Sequence, residues 1–345
     1  MENIKLNKGK VMKIKKLILE TIGSCNLECI MCPTIHYTDD KFLMKDEVFN
    51  KVLENIKYNE ITYVDMTGWG EPFLDKSLEQ RINKIKEIDS KIIVVVTTNA
   101  TLFNQDRIDV IAKSGLDHIN VSFDGGTKEV YESIRIHANY EDVVEKLKNL
   151  SNHPDRKYGL SSTCVIMKNN FHDMENYVKL FEDLGFDLVT FKPLDVVSSK
   201  KDLSYIIDKE KIYNEYKRLK LLYQDRINIR QSNLSDNTLE GDCYANVAGG
   251  TVFINCNGDI TPCCNLGHHV PSLREKLFYT KVKKDNFFRF GSIKDKTFKD
   301  IEKSPLYREF TEAFYKNMLP TVCEGCTLVS DKIQKNLVSM RNNEI

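Results

Sequence analysis

The sequence lacks several features that would assign it to a common class of protein. It has no excess of charge, since 50 Lys and Arg balance 50 Asp and Glu, whereas a nucleic-acid-binding protein usually shows a basic excess. No apolar run approaches the roughly 20 residues that a membrane span needs. The charged start of the chain also has no apolar segment typical of a signal peptide. We therefore predict a cytoplasmic protein with no nucleic-acid partner and no membrane partner.

Cysteine, in contrast, is abundant, with ten among 345 residues. Without a secretory signal, this number indicates a reducing compartment, where Cys serves metal binding or catalysis rather than disulfide formation. The remaining composition, 41% hydrophobic and 29% charged, is that of an ordinary globular protein. The chain is long enough to bury a substantial core.

Cys25, Cys29 and Cys32 lie close together near the start of the chain. This spacing is typical of thiolates that hold an iron–sulfur cluster, and three ligands leave one iron of a four-iron cluster open to another molecule. Two alternatives fit the same spacing. Zinc would need a fourth ligand, for which His36 is the nearest candidate. The spacing could also place the thiols on the buried face of a helix, although a glycine before the motif and a proline after it disfavour that.

Between residues 11 and 191, short apolar runs alternate with segments whose apolar residues recur at helical spacing. The run Ile92–Val96 is nearly continuous, as in a strand buried on both faces of a parallel sheet. The alternation predicts right-handed βαβ units, and six strands do not complete a closed eight-stranded barrel. The predicted strands are 11–22, Ile61–Met66, Lys91–Thr97, His118–Phe123, Leu160–Ile166 and Leu188–Phe191.

Polar or glycine-rich segments follow three of these strands, at the end where parallel α/β sheets bind ligands. In Gly68-Trp69-Gly70-Glu71 the glycines allow close backbone approach, and the carboxylate could accept a hydrogen bond from an ammonium group. Asn99 follows the third strand. Ser122 and Asp124, at the end of the fourth, could bind the hydroxyls of a ribose. Each segment could equally be an ordinary turn or helix cap.

A second group of cysteines lies after residue 240. The string from Gly258 to Cys263 is typical of a hairpin turn that delivers a thiol, and Cys323 and Cys326 form a CxxC pair. Four thiols can hold an iron–sulfur cluster or a zinc ion completely, and a redox dithiol is a further alternative. The group comprises Cys243, Cys256, Cys263, Cys264, Cys323 and Cys326.

The spacing of Cys25, Cys29 and Cys32 after a predicted strand resembles the CxxxCxxC signature of the radical S-adenosylmethionine (radical SAM) superfamily. Met31 departs from the aromatic residue that relatives often carry there. The resemblance implies a partial (β/α)6 TIM-like barrel and a [4Fe-4S] cluster whose open iron is chelated by SAM. It also implies reductive cleavage of SAM to a 5′-deoxyadenosyl radical, which abstracts hydrogen from a substrate.

The segments after the strands resemble the SAM-binding positions of this family. The stretch that ends in Glu71 is similar to the GGEP motif that contacts the SAM amino group, although Trp69 replaces a small residue. Ser122 and Arg135 resemble residues that contact the ribose and carboxylate of SAM, and a guanidinium suits a carboxylate. Arg135 could also be a plain surface residue. The SAM-binding residues that the resemblance implies are Gly68, Trp69, Gly70, Glu71, Asn99, Ser122, Asp124 and Arg135.

The C-terminal region resembles the SPASM/twitch extension of radical SAM enzymes, a small α+β domain. No Cys follows Cys326, so the resemblance implies one auxiliary [4Fe-4S] cluster, with Cys264 as the alternative to Cys263 as a ligand. The ligands that it implies are Cys243, Cys263, Cys323 and Cys326. We predict an N-terminal extension (1–13), a radical SAM core (14–200), a helical linker (201–240) and the auxiliary cluster domain (241–345).

These expectations favour a radical SAM oxidoreductase that dehydrogenates a sugar, a cyclitol or a peptide side chain, with the auxiliary cluster accepting the electron. Relatives with one such cluster include aminocyclitol dehydrogenases. The alternatives are a peptide maturase that epimerises or forms a thioether, and a non-catalytic iron–sulfur carrier or zinc scaffold. The expected partners are a small-molecule or peptide substrate and a flavodoxin- or ferredoxin-type reductant.

No residue stands out as the general acid or base. We expect His268 and His269 to form an exposed loop pair and Cys164 to be a core residue.

Overall fold

A ten-stranded sheet organises the chain. The computed structural model describes residues 12–36, 42–194, 202–232, 250–268, 288–315, 318 and 320–323. The strands are β1 (Lys16–Leu19), β2 (Tyr63–Asp65), β3 (Ile93–Thr98), β4 (His118–Ser122), β5 (Gly159–Ile166), β6 (Leu188–Pro193), β7 (Asn228–Gln231), β8 (Thr251–Ile254), β9 (Asp259–Thr261) and β10 (Gly291–Ser292). The helices are α1 (Asp46–Lys57), α2 (Leu78–Ile88), α3 (Gln105–Lys113), α4 (Lys128–Ile134), α5 (Tyr140–Ser151), α6 (Met174–Asp183), α7 (Lys209–Leu222), α8 (Phe298–Lys303) and α9 (Pro305–Tyr315).

Strands β1 to β7 follow one another across the sheet, and every neighbouring pair among them is parallel. Helices connect them, as expected for βαβ units. Strand β8 pairs in parallel with β1 on its other side, so that the described sheet ends at β7 and at β10 and stays open. The predicted class, an α/β fold with a partial TIM-like barrel, is confirmed. Among the described residues no helix is both long and apolar enough to cross a membrane.

Sequence reasoning missed two elements of the core. Strand β7 lies in the segment that was predicted as a helical linker, and it extends the parallel sheet beyond six strands. Of its residues only Ile229 is buried, so this polar edge strand has no apolar run to reveal it. Helix α4 has seven residues and is too short to show a clear helical period.

The strands of the core bury one row of side chains and leave the alternate row half-exposed. The buried row is largely apolar and belongs to the same core cluster as the inner faces of the helices, with Val64, Ile82 and Ile85 among its members. Successive residues of a strand point to opposite faces. The half-exposed row therefore forms the other face of the sheet, which carries polar residues such as Asp65, Asn120 and Thr163.

The C-terminal strands add an antiparallel hairpin to the same sheet. Strand β8 pairs with β9 through a turn at Gly258, whose φ of 86° favours glycine, and β10 pairs with β9. The hairpin predicted from the sequence is confirmed. The predicted boundaries between residues 200 and 201 and between 240 and 241 lie outside the described residues.

Candidate functional site

The three thiols of the N-terminal motif line one cavity of about 260 Å³. Cys25, Cys29 and Cys32 lie in the loop after β1, where residues 25–32 form no helix, so a helical core stripe is excluded. Among the described residues no three His, Cys, Asp or Glu side chains are arranged to hold a single metal ion. The three thiols line one cavity, and this suits a multi-iron cluster.

Donor groups of the protein approach these sulfurs. Leu27 N lies 3.5 Å from Cys25 Sγ, and Arg135 Nη1 lies 3.9 Å from Cys29 Sγ. Burial raises the pKa of Cys29 to about 12, and binding of a metal requires loss of the thiol proton. Hydrogen bonds to sulfur tune iron–sulfur clusters. The residues present therefore fit a cluster at this position.

Two glycines allow the loop after β2 to lie against the cysteine loop. A Cβ atom at Gly70 would lie 2.2 Å from the carbonyl oxygen of Ile22, and one at Gly68 would lie 2.3 Å from Cγ of Glu20. Larger residues at either position would push the two loops apart. Both glycines line the cavity.

Glu71 is buried, and its carboxylate is engaged by the protein. It accepts hydrogen bonds from Thr98 Oγ1 at 2.6 Å, from Asn99 N at 2.7 Å and from Phe73 N at 3.1 Å. Burial raises the pKa of Glu71, against the effect of these hydrogen bonds. Glu71 was expected to accept a hydrogen bond from the SAM ammonium group. In the structure its carboxylate connects the end of β3 to the loop after β2 through these hydrogen bonds.

Arg135 and Asp124 form a buried pair beside the thiols. Arg135 Nη2 lies 2.7 Å from Asp124 Oδ2, and Val165 N donates to Asp124 Oδ1 at 2.8 Å. Arg135 lines the cavity and is 6% exposed, so it is not a plain surface residue. Its buried Nε has no hydrogen-bond partner in the described part of the chain. Asp124 does not line the cavity but holds the guanidinium there.

Asn99 and Ser122 complete the set of predicted SAM-binding residues, and both line the cavity. Asn99 Nδ2 lies 3.8 Å from Cys25 Sγ and 3.0 Å from Asn26 Oδ1. Its side chain therefore joins the end of β3 to the cysteine loop.

Glu20 and His268 are functional candidates that sequence reasoning missed. Glu20 follows β1 directly and is 1% exposed, and Trp69 N donates to its Oε1 at 2.8 Å. His268 Nε2 lies 2.9 Å from Glu20 Oε2, and its ring centroid lies 5.0 Å from that of Trp69. His268 is 2% exposed, so the expectation of an exposed loop residue is wrong for it, while His269 lies outside the described residues. The signal available in the sequence was a carboxylate at the end of an apolar strand.

Lys192 is a third residue that was missed. It lies at the end of β6 and lines the cavity. Burial raises the pKa of Cys264, while the positive charge of Lys192 and a hydrogen bond from Trp69 lower it. Two cavity residues therefore act directly on a thiol of the C-terminal region.

The structure describes only some of the remaining cysteines. Cys263 and Cys323 are buried, whereas Cys243 and Cys326 lie outside the described residues. Cys256 is also buried, where burial raises its pKa to about 12 and its N–H lies 3.4 Å from Glu20 Oε2. Cys164 is 2% exposed in the core, as predicted.

Family models match both parts of the chain. The radical SAM superfamily model matches residues 19–181, and the SPASM model, described as an iron–sulfur cluster-binding domain, matches residues 243–327. The chain belongs to the radical SAM superfamily. It is a radical SAM enzyme with a C-terminal SPASM domain, and these two families imply [4Fe-4S] clusters and SAM as cofactors.

Curated relatives carry different names. A Pyrococcus furiosus protein named tungsten-containing aldehyde ferredoxin oxidoreductase cofactor-modifying protein is 25% identical, over 91% of this chain and 88% of its own length. A GTP 3′,8-cyclase of Petrotoga mobilis is 24% identical, over 85% of this chain and 90% of its own. These two names describe different reactions.

Solved structures share the fold. Streptococcus suis SuiB bound to S-adenosylmethionine matches with a TM-score of 0.68 at 16% identity, covering 87% of this chain and 68% of SuiB. The structure of anSMEcpe with bound AdoMet and a Cp18Cys peptide matches with a TM-score of 0.64 at 17% identity, covering 96% of this chain and 99% of that one.

Proposed function

We propose that this radical SAM enzyme is an oxidoreductase that removes hydrogen from a small polar substrate, with an auxiliary [4Fe-4S] cluster accepting or relaying the electron. The observation that carries the proposal is the position of Trp69, which lines the cavity with the N-terminal thiols and also donates a hydrogen bond to Cys264, the residue next to the expected auxiliary ligand Cys263. The two cysteine regions are thus linked by one side chain. That arrangement favours electron transfer between two centres.

We assign Cys25, Cys29 and Cys32 to the SAM-binding cluster, and Cys243, Cys263, Cys323 and Cys326 to the auxiliary one. When bound, the first cluster supplies reductive cleavage of SAM to a 5′-deoxyadenosyl radical. The loop Gly68–Glu71 gives that ligand room, and Arg135 binds its carboxylate while Asp124 fixes the guanidinium. Asn99 and Ser122 contact the same ligand.

A second candidate is modification of a cofactor. It is favoured by the likeness to the Pyrococcus furiosus cofactor-modifying protein, which extends over 91% of this chain. A peptide substrate has weaker support, because the likeness to SuiB and anSMEcpe is one of fold. In each case we expect a flavodoxin- or ferredoxin-type reductant and a cytoplasmic location.

The test begins with protein purified and reconstituted without air. Two four-iron clusters give about eight irons per chain, and reduction in the presence of SAM yields 5′-deoxyadenosine. A panel of deuterated substrates then reports the hydrogen donor, because only the true substrate transfers deuterium into 5′-deoxyadenosine. An electron carrier or zinc scaffold would form no 5′-deoxyadenosine at all. Deuterium transfer without net oxidation of the donor would contradict the oxidoreductase proposal.

A further inference from the structure

The face of the sheet that carries the partly exposed side chains has many polar groups among apolar ones such as Ile18 and Val95. In a closed (β/α)8 barrel, the face of the sheet that points into the barrel is covered by layers of branched apolar side chains. Here the row across β2 to β6 and the adjoining loop carries carboxyl, amide, hydroxyl and amino groups that are half-exposed. The members are Asp65, Thr67, Thr97, Asn120, Ser122, Thr163, Thr190 and Lys192. Several also line the cavity, so the polar face continues from the cavity toward the amino ends of the strands.

Hydrogen bonds within the row hold its amide in place. Asn120 Oδ1 accepts from Ser161 Oγ and from Thr163 Oγ1, both at 3.0 Å. Asn120 Nδ2 lies 3.4 Å from Thr97 Oγ1. The polar groups are therefore fixed before any ligand arrives, which lowers the entropic cost of binding one.

Asp65 is the unusual member of this row. Thr67 Oγ1 donates to its Oδ1, and within the described residues no Lys, Arg or His forms an ion pair with it. Its register neighbours are the apolar Ile18 and Val95. Burial raises the pKa of Asp65 to about 6. A carboxylate without a cation in such surroundings is costly, and such residues are concentrated at functional sites.

The position of Asp65 relates it to the reaction site. It precedes the cavity residue Thr67 by two positions, which in a strand is about 7 Å. A ligand that enters the cavity and extends down the sheet would reach its carboxylate. The second carboxylate oxygen then has a donor available from the ligand, since the described residues supply none to it.

We propose that this polar face is the substrate site, and that Asp65 accepts a hydrogen bond from a hydroxyl or ammonium group of a polyol or aminopolyol. The proposal rests on the proposed function and names its substrate class. A molecule with several hydroxyls could form hydrogen bonds with the row of hydroxyl, amide and carboxylate groups along this face. An apolar peptide side chain would instead leave these groups unpaired, which penalises its binding.

The experiment compares the reconstituted, SAM-loaded wild type with Asp65→Asn. The control is Asp183→Asn, the same substitution at an exposed residue of α6. Equilibrium dialysis with radiolabelled myo-inositol and glucosamine measures binding directly, and iron content verifies folding. We expect the wild type and the control to bind at least one of these probes, and Asp65→Asn to bind it about tenfold more weakly, as loss of one hydrogen bond to a charged group implies.

Equal binding by Asp65→Asn and the wild type would overturn the role of Asp65. Binding of neither probe by a wild type that forms 5′-deoxyadenosine would overturn the substrate class while leaving the proposed function intact. Absence of 5′-deoxyadenosine from the wild type would instead overturn the proposed function, and the dialysis would still decide whether the face binds polyols.

Discussion

His268 Nε2 lies 2.9 Å from Glu20 Oε2 in a fully buried pair, although 248 positions separate the two residues in the sequence. Glu20 also accepts from Trp69 N, so a single carboxylate joins the cysteine loop region, the glycine loop and the SPASM segment. The pair therefore sets how the two cysteine regions face each other.

Glu20→Ala should destabilise the protein by about 3 kcal/mol, because it removes a buried carboxylate that accepts from Trp69 N and pairs with His268. Urea unfolding checks this, with the exposed Glu60→Ala as control. The variant should also form less product per SAM cleaved, since the two regions lose their fixed geometry. Wild-type stability together with wild-type coupling would argue against the role given to Glu20.

Replacing Cys25, Cys29 and Cys32 together with Ala should remove about four irons per chain and stop SAM cleavage, because no open iron is left. Cys164→Ala is the matched control, since this thiol lies in the core. Iron analysis and 5′-deoxyadenosine assays report both effects. Cleavage that survives the triple substitution would refute the ligand assignment.

Cys263→Ala and Cys264→Ala should differ in their iron content. We expect Cys263→Ala to lose the auxiliary cluster, about four irons, and Cys264→Ala to keep it, because the thiol of Cys264 is hydrogen-bonded to the cavity residue Trp69. Iron analysis and electron paramagnetic resonance distinguish the two variants. The opposite pattern would make Cys264 the ligand.

Arg135→Lys should weaken SAM binding about tenfold or more, because Lys lacks the planar fork that binds a carboxylate while Asp124 holds it. Equilibrium dialysis with SAM measures the change in the reconstituted protein. Arg226→Lys, which alters an exposed ion pair with Glu182, should bind SAM as the wild type does. Unchanged affinity in Arg135→Lys would exclude the contact.

Asp65→Asn should stabilise the protein at neutral pH. The folded-state pKa of Asp65 is raised from 3.8 to about 6, so between these values the native state binds more protons than the unfolded state. The free energy of unfolding therefore falls as pH rises through this window, by at most about 3 kcal/mol. Urea unfolding of both forms should show a larger advantage for Asp65→Asn at about pH 7.5 than at about pH 5. An advantage that grows toward low pH would contradict the sign of the shift.

The parallel core was predictable because its strands are apolar runs with local periodicity. Ile92–Val96 and Leu188–Phe191 gave strands β3 and β6 within two residues of their bounds. Strand β7 escaped because Asn228 and Arg230 are exposed at an edge, where burial imposes no pattern. Sequence periodicity reports burial, so it is silent at such positions.

Within the site, the sequence was enough to identify residues that belong to one short motif. It was not enough to identify interaction partners that lie far apart along the chain. Cys25, Cys29 and Cys32 stand out through their spacing. The hydrogen bonds that Thr98 and Asn99 donate to the Glu71 carboxylate form only because the ends of β2 and β3 lie side by side in the fold. Lys192 escaped for the same reason, since only the fold brings it to the cavity, whereas Glu20 had the weak signal of a carboxylate at the end of an apolar strand.

The central claim is that one iron of a cluster held by Cys25, Cys29 and Cys32 is open and binds SAM. Electron paramagnetic resonance of the reduced, reconstituted protein before and after addition of SAM tests it most directly. We predict a changed cluster spectrum with SAM in the wild type and its absence after all three cysteines are replaced by Ala. An identical wild-type spectrum with and without SAM would contradict the account.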